Sequence, residues 1–381
     1  FLMRPTALKL TAVTLLFCGI TTAINAQSKI NVVTTAVPFL RISPDARSGG
    51  MGELGVATSA DQYAGLWNIG KAAFNEKSGV AATYTPWLKG VADDVFLATL
   101  AGQYKFSDNQ AISVGLRYFS LGDIQFTDAL GNDLTSFRPR EFGIDVGYSR
   151  KLNSKHGIGI ALKYINSNLA SGFTAGGTTY KTGSSVAADL GYYGNAVKAS
   201  GSGWAWGAVL SNLGSKISYT DNADAKDFIP ANLGLGANYT KKFNNVNSIA
   251  FGVEVNKLLV PTPPTDSAGL VDYRNKSVIG SWFSSFGDAE DGFGEEIKEF
   301  AVSLGAEYWY NNQFALRAGY HYENKYKGNR RYFTAGVGLK YNIFGFNFAY
   351  LVPSGSGVNR NPLSNTLRFS VLFDFSSGAK K

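Results

Sequence analysis

Ala111-Ile112-Ser113-Val114-Gly115-Leu116-Arg117-Tyr118-Phe119 alternates without a break: Ile112, Val114, Leu116 and Tyr118 fall on one side of an extended chain, Ala111, Ser113, Gly115 and Arg117 on the other. A strand has period two, so one row meets an apolar surround and the other an interior of small and polar groups. The same sentence repeats from about residue 94 to Phe375, each run ending in Tyr or Phe before a turn. That is the signature of a transmembrane β-barrel.

Composition agrees. Hydrophobic residues make up 45% of the 381, with 44 Gly, 26 Phe and 20 Tyr. Beyond the N-terminal leader, no run approaches the ~20 apolar residues that a spanning helix needs. A helical membrane protein is excluded. A soluble β-sandwich would also alternate, but its outer face would be polar. Here Trp204, Trp206, Ala208 and Leu210, or Phe314, Leu316, Ala318 and Tyr320, would face water.

Alternating runs lie near 79–86, 94–106, 110–120, 139–151, 156–168, 184–194, 203–212, 228–240, 247–257, 299–309, 312–322, 330–341, 344–351 and 366–375, which makes fourteen antiparallel strands. Connections after even-numbered strands are mostly short, such as Ser107-Asp108-Asn109 and Asn153-Ser154-Lys155. Those after odd-numbered strands are mostly long, as at 121–138, 169–183, 214–227, 258–298 and 352–365. Bacterial barrels have short periplasmic turns and long external loops, so both chain ends are expected in the periplasm, with residues 376–381 as a tail. One closed sheet, residues 79–375, cannot be cut into smaller cores.

Arg4 and Lys9 precede an apolar run over residues 10–20 and a small-residue stretch over 21–26. This is the pattern of a secretory signal peptide, residues 1–26, cleaved after Ala26, with Met3 as the start. Cys18, the one cysteine, falls inside it, leaving a mature chain without disulfides or thiolate metal sites. Residues 27–78 are too many for a tail and too poor in alternation for strands. Their Gly49-Gly50-Met51-Gly52 bend and apolar run over 63–67 are expected to fold into the barrel mouth as an N-terminal plug.

The net charge of +8 is scattered among acids without a basic stripe, so nucleic acid is not a partner. Outer-membrane lipid is the expected surround. The small-residue face carries Arg117, Glu141, Asp145, Lys163, Asp189, Glu254, Glu307, Arg317, Lys340, Arg368 and Asp374. Mixed signs suit pairing around a plug better than the single-sign ring of a selective pore. No catalytic set, metal site or cofactor motif emerges. The histidines are His156, at a short turn where solvation is expected, and His321, a lumen position two residues from Glu323 with no assignable nucleophile. The acids between 288 and 296 lack the spacing of a calcium loop. Gly157-Ile158-Gly159 lies in mid-strand, marking lumen positions where bulk is unwelcome rather than a phosphate loop.

The stretch from Pro38-Phe39-Leu40-Arg41-Ile42-Ser43-Pro44-Asp45-Ala46-Arg47-Ser48-Gly49-Gly50-Met51-Gly52 through Gly55-Val56-Ala57-Thr58 and Asp61 resembles the PorV family, outer-membrane components of the type IX secretion system. The likeness continues in Tyr84-Thr85-Pro86-Trp87-Leu88, Leu116-Arg117-Tyr118-Phe119-Ser120-Leu121-Gly122, Phe126-Thr127-Asp128 and Gly131-Asn132. Where such families carry Asn-Pro-Ala, this chain has Asn68-Ile69-Gly70. The resemblance implies a FadL-like barrel with an N-terminal plug, in the bacterial outer membrane, and no enzyme activity. It also implies three partners: the giant translocon barrel, secreted cargo with C-terminal signal domains, and the cell-surface attachment complex. Two alternatives stand beside it, a FadL-like channel for hydrophobic small molecules and a lipid-modifying outer-membrane enzyme using His321.

The external segment 258–298 is the expected binding device, because long ordered loops tend to be functional. It holds Pro261, Pro263 and Pro264, then Ser281-Trp282-Phe283-Ser284-Ser285-Phe286, then an acidic run over 288–299 interleaved with Phe293 and Ile297. Exposed aromatics cost about 25 cal/mol per Å² of apolar area unless covered. Trp282, Phe283, Phe286, Phe293 and Ile297 are therefore the candidate partner-binding residues, unless they fold down over the barrel's own mouth.

Overall fold

The computed structural model describes residues 31–87, 94–127, 130–175, 177–222, 226–264, 268–353 and 366–375. The expected signal peptide and C-terminal tail lie outside these residues. Fourteen strands close a barrel: β1 Ser78–Pro86, β2 Val95–Ser107, β3 Gln110–Leu121, β4 Arg140–Lys151, β5 His156–Asn168, β6 Gly183–Asn195, β7 Gly203–Gly214, β8 Asn232–Lys242, β9 Asn247–Leu258, β10 Ala301–Tyr310, β11 Phe314–Tyr322, β12 Arg331–Tyr341, β13 Phe344–Pro353 and β14 Leu367–Phe375. Each pairs with its sequence neighbour, and β1 closes on β14 from Ser78↔Phe375 to Tyr84↔Phe369. Among the described residues no helix is long and apolar enough to cross a membrane. The crossing is made by strands.

The two faces of β3 separate as its alternation requires: Ala111, Ser113 and Arg117 are buried, whereas Val114 is 51% exposed on the outer wall. Leu162 at 66% and Leu316 at 61% continue that lipid-facing band. The largest shift of a strand edge is at β8, which begins at Asn232, not near 228. Pro230 has no N–H to give a ladder, and its carbonyl accepts from Asn212 Nδ2 at 3.0 Å. Phe228 and Ile229 are instead buried in the mouth.

A fourteen-stranded lumen is wider than side chains alone can fill, and residues 31–77 lie within it. Contrary to the expectation of two periplasmic ends, the first described residue stands at the external mouth. Asn31 Nδ2 donates to Pro263 O at 3.2 Å, and Val33 packs with Phe228, Val260 and Tyr273, all beyond the external strand ends. Loop rhythm locates only where β1 starts and β14 stops. The preceding chain descends through the barrel before β1 begins. Asp45 starts a helical turn over Ala46–Gly49 by accepting from Ser48 N at 2.8 Å. The turns Ala64–Trp67 and Ile69–Phe74 follow. A Cβ on Gly159 of β5 would stand 2.8 Å from Ile69, so the strand glycines give the inner segment room.

Candidate functional site

Polar lumen side chains meet the inner segment one by one. Glu307 of β10 receives Arg47 Nη2 at 2.8 Å and Arg317 Nε at 2.8 Å, while Arg47 also bridges to Asp61 at 3.0 Å. Arg368 reaches Glu53 at 2.9 Å, and Glu254 accepts the N–H groups of Gly55 and Val56 at 2.8 Å. Asn68 donates to Val56 O and Tyr192 O and accepts from Gly70 N at 3.0 Å. Asn68 therefore ties this turn together although Ile69-Gly70 follow it. The mixed lumen charges are partners of one another and of this segment. Removing one partner of such a buried pair costs about 3–5 kcal/mol.

Above the lumen, residues 259–264 and 268–300 form a cap. It contains the helices Leu270–Asn275, Val278–Ser284 and Phe293–Glu296. Its underside is pinned by charge: Lys257 of β9 meets Glu296 and Glu299 at 2.7 Å each, and Lys327 meets Glu299 at 2.9 Å as well as Glu295. Burial favours neutral Lys327, but its bonds to Glu295 and Glu299 outweigh that and raise it above the ordinary lysine value. Glu295 is pushed up by burial and pulled net downward by Lys327. Glu295 and Glu296 of the acidic run are thus buried against these lysines, whereas Glu290 and Asp291 stay exposed. Lys216 Nζ donates to Arg274 O and Lys276 O at 2.6 Å, fastening the other side.

The candidate residues are exposed to different degrees. Phe293 is 79% exposed and Phe283 75%, with Ile297 and Phe286 less so and Trp282 half-buried. Ile279, also exposed, was missed. It precedes Phe283 by four residues on one helix and shares its face, so helical spacing was the signal.

His321 Nδ1 and Ser303 Oγ lie 2.9 Å apart, with the imidazole stacked on Tyr332. Nε2 has no hydrogen-bond partner among the described residues. Both residues are buried, and among the described residues no acid hydrogen-bonds the ring. His156, expected at a solvated turn, instead opens β5 with Nδ1 2.8 Å from Tyr192 OH. Among the described residues no group of three or more His, Cys, Asp or Glu is placed to hold a metal.

A closed fourteen-stranded wall, apolar outside and polar within, defines an outer-membrane barrel of FadL-like fold. Solved barrels share it: the P. putida toluene transporter TodX, 13% identical, covers 88% of this chain and 99% of its own at a TM-score of 0.54. The monoaromatic hydrocarbon channel CymD is 12% identical, covering 90% and 99%, at 0.50. A FadL homologue of Pseudomonas aeruginosa is 11% identical, covering 91% and 99%, at 0.47. No curated protein matches the chain significantly. The model of the type IX secretion system protein PorV matches residues 25–265. The chain belongs to the PorV family.

Proposed function

We propose that this protein is the accessory and cargo-shuttle barrel of type IX secretion. It binds the giant translocon barrel, accepts secreted proteins bearing C-terminal signal domains, and delivers them to the attachment complex at the cell surface. The observation that carries the reading is the family match, joined to a cap whose base is pinned while Phe283 and Phe293 stay in water. Exposed aromatics on a scaffold already ordered lose little entropy on docking, which favours a partner surface. The segment 27–78 acts as the plug: the ion pairs that Arg47 and Glu53 make with the wall fill the space through which a channel would conduct. Deleting the gene and restoring it on a plasmid tests the role. Cargo with C-terminal signal domains should vanish from the surface in the deletion and return with the plasmid. Unchanged surface display in the deletion would overturn it.

A further inference from the structure

On the outer wall, the strand registers bring a cation and an apolar groove together near the periplasmic turns. Arg150, one residue from the end of β4, faces Ile158 on β5, which faces Tyr192 on β6, which faces Ala208 on β7. One row nearer the outside run Tyr148, Ile160, Leu190, Leu210 and Leu233. Between them lies a groove of about 640 Å³ with Ala208 in its lining, within the range of sites that hold small molecules. The β6–β7 ladder slips between Ala188 and Leu190, and such a bulge bends the wall locally.

The periplasmic end of the groove is polar. Tyr192 OH is 2.8 Å from His156 Nδ1 and 3.4 Å from Trp206 Nε1, a girdle of amphipathic rings at headgroup level. Arg150 is exposed there and forms no ion pair among the described residues. A guanidinium facing lipid is costly in hydrocarbon, yet its planar fork matches a phosphate at the boundary. We propose that this wall seats one glycerophospholipid of the periplasmic leaflet, its phosphate on Arg150 and an acyl chain along the groove between β4 and β8. The membrane already presents this ligand, and Arg150, the one cation among the described residues lining the groove, complements its headgroup.

The test is native mass spectrometry of the full mature barrel, purified from outer membranes in mild detergent. Wild type and Val114→Phe, a bulky change elsewhere on the outer wall, should each carry one phospholipid. Arg150→Gln should carry about tenfold less, because a charge-assisted bond is lost. Ala208→Phe, which fills the groove, should carry none. Heat-modifiable migration on gels checks that all four are folded. The same lipid distribution in all four, or no lipid on wild type, would overturn the proposal. So would a photocrosslinker at Ala208 that labels a protein rather than lipid.

Discussion

Glu323, just beyond β11, shows how single residues hold the mouth. Burial alone would raise its carboxyl, but Arg330 at 3.0 Å and Arg41 at 3.0 Å outweigh it and hold the pKa at about 2. A depressed acid contributes stability that is complete above its unfolded value of 4.5 and is lost as pH falls toward about 2. Protease protection of the inner segment should therefore weaken between those values, and Glu323→Gln should flatten that acid dependence. An identical pH profile for the variant would refute the assignment. His321 makes the opposite case. Its contact with Ser303 lacks an orienting acid, so His321→Ala should leave cargo secretion intact. Loss of secretion from a normally assembled barrel would revive the enzyme reading.

The two elements that distinguish this barrel are the inner segment and the cap. Deleting residues 31–76 removes the arginine partner that Glu307 receives from Arg47 and empties the lumen. Conductance in planar bilayers should rise severalfold; an intact protein already conducting as strongly would contradict the plug. On the cap, Trp282, Phe283 and Phe286 replaced together by Ser should abolish co-purification with the giant barrel, at ~2 kcal/mol or more for each anchor. Heat-modifiable migration should not change. Survival of the complex would mean that these rings only cover the protein's own mouth. The acids beneath are a different matter. Glu295, Glu296 and Glu299 are held by Lys257 and Lys327, so reversing them should unseat the cap rather than merely slow an encounter.

At the scale of the whole molecule, strand number and the two faces of each strand were legible because period two and loop length are local properties of sequence. The wall of Ile112, Val114 and Leu116 needs no tertiary information. What escaped depended on pairings across hundreds of residues. Asn31 meeting Pro263 carries the N-terminal segment up to the external mouth, and Lys327 meeting Glu295 turns an acid of the long loop inward. Neither leaves a periodic trace. Ser303 beside His321 is likewise a product of β10–β11 register. The candidate residues stood out in the sequence as aromatics in a long loop, but how far each is exposed is decided by the cap's packing. The central claim, a barrel that works in protein export through its external cap, is tested most directly by affinity purification of the mature protein from outer membranes with identification of co-purifying chains. The account predicts the giant translocon barrel together with secreted proteins bearing C-terminal signal domains. Recovery of the barrel alone, with a small hydrophobic molecule in its lumen, would contradict it.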